Sequence, residues 1–135
     1  MITDVTITRN DKGAIAVNNK VIIKLITDRL LEMSDTIILC NKKGKPITRT
    51  NPFTGPDYSD AVDYRESKNT IEVTVYLIYR SKVVINDISN SVLDIIEDIF
   101  EGFSIKKPDR IKIAYKGVMA AQLEKKNIEV SRRNG

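Results

Sequence analysis

Arg80, Ser81 and Lys82 stand together where an alternating apolar run, Val75 to Tyr79, gives way to a helical pattern. Two cations and a hydroxyl ahead of a helix could hold a phosphate or carboxylate, because the first N–H groups of a helix point outward without partners. Val83, Val84 and Ile85 intervene before the first residues able to cap, Asn86 or Asp87. The cations therefore lie about a turn or more ahead of the helix, and the stretch reads first as a connector.

A second set is acidic. Asp94, Glu97, Asp98 and Glu101 recur at spacings of three and four, which puts them on one helix face. Carboxylates so placed could take a divalent cation or a basic partner. They are also what the solvated side of any amphipathic helix looks like. Like charges at this spacing destabilise a helix slightly, so a basic neighbour is expected.

Two further sets are basic: Lys42, Lys43, Lys45 and Arg49 in the middle of the chain, and Lys125, Lys126, Arg132 and Arg133 near its end. Either could contact the phosphates of a nucleic acid or an anionic membrane surface. Only Phe53 and Tyr58 lie near the first set to supply base stacking. The solvated-loop reading is the plainer one.

What is missing narrows the chemistry. The chain has no histidine, the commonest general base near neutral pH and the commonest zinc ligand. Cys40 is the single cysteine, so no internal disulfide and no cysteine–histidine pair can form. Set in an apolar run, Cys40 reads as a small core residue. No glycine-rich phosphate loop occurs. These residues give no catalytic constellation and call for no cofactor.

The elements that position these groups follow from periodicity. Val5 and Ile7 suggest a short strand, with Thr3 as a possible member, and Gly13–Val17 a second. Ile22, Leu25, Ile26, Leu30 and Met33 predict a helix over about 20–33, capped by Asn18 or Asn19. Thr36–Asn41 reads as a strand and 42–60 as a long polar loop. Ala61–Glu66 predicts a strand and Ser67–Asn69 a hairpin turn. Ile71, Val73, Val75, Leu77 and Tyr79 then form one face of a strand and Glu72, Thr74, Tyr76, Ile78 and Arg80 the other. The second face turns apolar at Tyr76 and Ile78, so that end is either covered or meets a partner. A second helix is expected from Asn86 or Asp87 to Glu101, ended by Gly102. Arg110–Lys116 alternates like a strand, Met119–Lys126 reads as a short helix, and 131–135 as a frayed basic tail.

The expected fold is α+β: a single small domain over 1–130, with a mixed, mostly antiparallel sheet and two main helices packed on it. A chain of 135 residues can bury a core without covalent staples. Its net charge is +4, and an acidic segment from Val83 to Phe103 lies between two basic ones. That segregation bears on association, and it leads us to expect the acidic helix face and the basic C-terminus to meet in self-assembly or partner binding. No apolar run approaches the ~20 residues needed to span a bilayer, and Met1–Asp4 does not open a signal peptide. The expected location is cytoplasmic.

Several of these runs also resemble a known family. Gly13-x-Ile15-x-Val17 with Val21-Ile22-x-x-Leu25-Ile26, then Val73-x-Val75-Tyr-Leu-Ile-Tyr79, then Ile88, Val92, Ile95 and Gly102-Phe103, then Arg110-Ile-Lys-Ile-Ala-Tyr-Lys-Gly-Val118, are similar in order to the alkaline shock protein family of Gram-positive bacteria and their relatives. Arg80–Ile85 departs from that pattern, where the family usually has a glycine and a shorter link. The resemblance implies a general stress protein of the cell-envelope stress response. It implies a cytoplasmic, non-enzymatic protein that works through protein–protein contact, able to oligomerise or to reach the membrane through an anchored partner. Some relatives resemble accessory proteins of lipid metabolism. The rival reading is a nucleic-acid or anionic-lipid binding module built on the 42–49 loop and the basic C-terminus.

Overall fold

The alternation from Ile71 to Tyr79 becomes the centre of the sheet. The computed structural model describes residues 4–10, 13–47, 50–51 and 55–134. In chain order the elements are β1 (Asp4–Asn10), β2 (Gly13–Asn18), α1 (Asn19–Leu31), β3 (Ile37–Leu39), β4 (Thr50–Asn51), β5 (Gly55–Pro56), β6 (Val62–Ser67), β7 (Thr70–Arg80), α2 (Ile85–Gly102), β8 (Arg110–Met119) and β9 (Leu123–Arg133). A 3-10 turn, Ser59–Ala61, precedes β6.

The main sheet has five strands in the order β3–β7–β8–β9, with β6 also on β7. One edge of β7 is shared end to end. β6 pairs antiparallel with Thr70–Val75 and β3 antiparallel with Leu77–Tyr79. Between them the Cys40 N–H donates to the Tyr76 carbonyl at 3.1 Å. The other edge carries β8 in parallel, with α2 as the crossover that a parallel pair requires. β9 closes the sheet antiparallel to β8. β1 and β2 form a separate antiparallel hairpin that runs directly into α1. This is the expected single α+β domain, with both helices on one face of a mixed sheet.

That face carries the main core. Ile22, Ile26 and Leu30 of α1 and Val92, Ile96 and Phe100 of α2 meet Val73, Val75, Leu77, Ile111, Ile113 and Tyr115 of the sheet. Tyr115 is fully buried, its hydroxyl 2.7 Å from that of Ser89, and the Tyr79 ring meets it edge-on. Burial of a hydroxyl is tolerable because it is bonded.

Four sequence expectations are corrected. The short helix over 119–126 is instead the end of β8, a turn at 120–122 and the start of β9: pairing with β8 overrides the weak helical preference of that run. The frayed tail over 131–135 is also strand as far as Arg133, because Ile128, Val130 and Arg132 continue the alternation onto the core face of β8. The domain thus extends past residue 130, and Gly135 lies outside the described residues. Helix α2 is capped by neither Asn86 nor Asp87. Val84 holds the cap position in extended geometry with no side-chain cap bond. Asp87 sits inside the first turn, where its charge still suits the helix dipole. The described residues of the long loop hold a tight turn at 41–45 closed by a bridge between Cys40 and Pro46, and then β4, β5 and the 3-10 turn. Gly44 sits in that turn at φ +86°, a conformation that side chains disfavour. Thr3, Arg49 and Phe53 lie outside the described residues.

Candidate functional site

A concavity of about 740 Å³ lies between α1 and the segment 57–64. One turn of sequence logic builds each wall. Ile23, Thr27 and Leu31 recur at fours along α1, so they form a stripe beside the fully buried Ile22, Ile26 and Leu30. Opposite them stand Tyr58, Val62 and Tyr64. The 3-10 turn that brings Tyr58 in is set by Asp57, whose carboxylate accepts the Ser59 N–H at 3.0 Å. Tyr64 is held flat against Phe100 of α2, ring planes 2° apart and centroids at 6.3 Å. The floor is therefore apolar and aromatic.

The rim is charged. Asp28, Asp57, Asp60 and Asp63 line it, with Lys20 and Lys24 as the only bases. Lys24 pairs with Asp28 at 2.9 Å, one helical turn away on an exposed face. The Asp63 carboxylate accepts from the Tyr76 hydroxyl at 3.3 Å on the other face of the sheet and pairs with Arg65, so its charge is spent away from the groove. Acid thus exceeds base around an apolar floor. The Tyr64 hydroxyl is buried with no hydrogen-bond partner among the described residues. Burial pushes its pKa up, and nearby Glu66 adds to that, so it stays a neutral phenol.

Sequence reasoning missed this groove, because its walls are far apart in the chain. The available signal was a three-residue spacing of Asp57, Asp60 and Asp63 next to Tyr58 and Tyr64, inside a segment read as loop.

The residues singled out from sequence fall into different places. Tyr76 and Ile78 are not an exposed contact surface: they are 8% and 0% exposed. With Cys40 they form a second small core on the sheet face away from the helices, flanked by Ile38, Ala114 and Met119. The apolar end of that face is therefore covered from within the chain. Arg80 is structural too. Its Nε–H donates to the Ser34 carbonyl at 2.9 Å, and its backbone N–H to the Thr36 carbonyl. Lys82 is exposed beside it. Arg80 thus ties the corner to the turn before β3.

The acidic face of α2 finds its basic neighbour inside the same chain. The Arg132 guanidinium bonds both Asp94, at 2.9 Å, and Glu97, and Asn134 donates to Glu97 at 2.9 Å. The hydrogen bond that Arg132 donates to Asp94 leads in holding the Arg132 pKa above its usual value, with Glu97 adding to it. The meeting of acidic helix and basic C-terminus expected between molecules therefore occurs within one. Asp98 and Glu101 stay exposed.

The basic residues divide. Lys42, Lys43 and Lys45 are exposed on the tight turn, and Lys125 and Lys126 on β9; Arg133 is exposed at its end. The turn reaches back across the sheet to β8, because a Cβ built on Gly44 would lie 3.1 Å from the Lys116 Cβ. Gly117, next to Lys116, is in register with Lys125. Lysines far apart in sequence thus gather at one corner, and Lys116 is the member that sequence reasoning left out. Beneath it, burial pushes the Cys40 thiol up to about 12, opposed in part by Lys116.

Among the described residues, no group of three or more acidic or cysteine side chains is placed to hold a metal ion. No described helix is long and apolar enough to cross a membrane. Compared with family models, curated proteins and solved structures, the chain matches none.

Proposed function

We propose that this protein is a non-enzymatic adaptor of cell-envelope homeostasis that holds a basic, amphipathic segment of a protein partner in the α1/57–64 groove. The observation that carries the reading is the pairing of an apolar, aromatic floor with a rim on which Asp28, Asp57 and Asp60 stand against two lysines. Such a groove suits a helix with an apolar stripe and cationic flanks. The cytoplasmic flanks of membrane-anchored proteins are rich in lysine and arginine, so an anchored partner fits the charge. The envelope role and the cytoplasmic, membrane-peripheral location rest on the resemblance to the alkaline shock family.

Titration with a Lys-rich amphipathic peptide, followed by amide NMR, tests this. Shifts are expected to concentrate at Ile23, Leu31, Tyr58 and Tyr64, with Asp60→Lys weakening binding roughly fivefold, as loss of an exposed charge contact does. Equal binding of a Glu-rich counterpart, or shifts spread elsewhere, would sink the reading.

The lysine corner favours a second reading, binding of anionic lipid headgroups. Its support is the approach of the 41–45 turn to Lys116. Lipid is favoured over nucleic acid because, among the described residues, Tyr76 and Tyr115 are buried and Tyr58 lines the groove instead. Co-sedimentation with phosphatidylglycerol vesicles is expected to fall steeply with salt and on Lys43→Glu/Lys45→Glu, with phosphatidylcholine inert. Indifference to vesicle charge would rule it out.

A further inference from the structure

β9 is the edge of the sheet. Among the described residues only β8 pairs with it, and it is eleven residues long, with Leu123 to Asn127 exposed in full. A long open edge carries a row of backbone donors and acceptors that a further strand can take up. Lysines on such an edge ordinarily repel one. Here the pattern of charge admits one arrangement and opposes the neighbouring ones.

We propose that a second copy of this chain pairs with β9, antiparallel, about a two-fold axis passing beside Asn127, and joins two five-stranded sheets into one. A two-fold axis perpendicular to the sheet keeps each face on its own side, so only residues an even number apart, or a residue and its own copy, face each other. Centring the axis on Lys126 sets Lys126 against itself, and centring it on Glu129 does the same to that carboxylate. Like charges directly opposite are destabilising. Centring on Ile128 asks Glu124 to meet the Arg132 of the other copy, but that guanidinium is already held by Asp94 and Glu97. Centring on Asn127 sets Lys125 against the second copy's Glu129, and Glu129 against its Lys125, so the ion pair forms twice on one face; Glu129 reaches Arg110 and Lys112 of its own chain only at 3.6 and 3.9 Å and its side chain is 53% exposed, so unlike Arg132 it keeps an open side. On the other face Lys126 lays its stem on the second copy's Ile128. The ladder runs from Leu123 to Ser131 in each chain and crosses, at its centre, the place where β9 shifts register against β8 between Lys125 and Ile128. The groove is at the opposite edge of the sheet, lined by α1 and β6, so dimerisation leaves it open and does not depend on it.

Sedimentation velocity of the full chain at low salt is expected to show a dimer. Lys125→Glu and Glu129→Lys should each raise the dimer dissociation constant at least ~tenfold. The double variant, which restores the pair with signs exchanged, should recover the dimer. Circular dichroism confirms folding of each, since both positions are exposed. Asn127→Cys supplies an independent reading. Facing strands put paired Cα atoms about 4.5–5.5 Å apart, within disulfide reach. Mild oxidation should link that variant into a covalent dimer, whereas Lys126→Cys, which faces Ile128, should not link. Cys40 is buried and adds no background. A monomer at every concentration, a dimer indifferent to the single reversals, or equal cross-linking at 126 and 127 would each overturn the proposal.

Discussion

Replacing Phe100 by alanine is expected to lower unfolding stability by about 3–5 kcal/mol, the usual cost of deleting a buried aromatic ring. Phe100 has no exposed surface, and it belongs to the layer where α2 meets the sheet. The loss has two parts: the ring's transfer from water, and the cavity left when its neighbours cannot close in. Tyr64 is the neighbour that matters for function, because its ring lies parallel to that of Phe100 and also lines the groove. The variant should therefore lose peptide binding in the groove even under conditions where it stays folded. Urea denaturation followed by circular dichroism gives the first number, and peptide titration below the unfolding midpoint the second. A fall of under about 1 kcal/mol would show that the α2 layer can collapse onto the vacancy, against the packing described here.

The second large effect is expected at Gly117. Its backbone needs no special dihedral angle, so the argument is one of space. A Cβ there would sit 2.8 Å from Leu123 Cδ1 and 2.9 Å from the carbonyl oxygen of Glu124. The leucine methyl can move aside, but the carbonyl belongs to β9 and cannot. Gly117→Ala should cost about 1–3 kcal/mol, in the range for overpacking a fitted contact. It should act locally as well, since the register of both β7 and β9 against β8 shifts next to this residue. Amide exchange is expected to quicken over 123–126 before it quickens in β7. A variant within about 0.5 kcal/mol of the parent with unchanged exchange would mean that β9 already stands off at that point.

How far the chain could be read in advance depended on whether an element's signal was local. Ile71 to Tyr79 alternates without interruption, and the structure makes it the central strand. The stripe of Ile88, Val92, Ile95, Ile96, Ile99 and Phe103 likewise announces α2; Ile95 and Phe103 are half-buried and the other four buried. β9 was misread because Leu123 to Lys126 has no pattern of its own. Only β8 alongside makes it a strand. Tyr76 and Ile78 were correctly singled out as unusual, but they are buried beside Cys40, Ala114 and Met119, a packing of distant segments that no local pattern announces. Arg132 looked like one of several tail cations until the sheet brought it beside α2. The groove was the least legible feature, since it exists only when α1 and 57–64 are side by side.

The buried thiol beneath the lysine corner has a practical consequence. Cys40 is the only cysteine in the chain, and it has no exposed surface. With its pKa pushed up to about 12, almost none of it is thiolate near neutral pH. A thiol reagent must wait until the 41–45 turn lifts away and lets solvent reach the sulfur. The chain thus carries its own clock for the opening of that corner: the rate at which a chromogenic disulfide is consumed reports how often the turn lets go. A lipid headgroup bound across the lysines would slow the clock, and a peptide in the distant groove would leave it running.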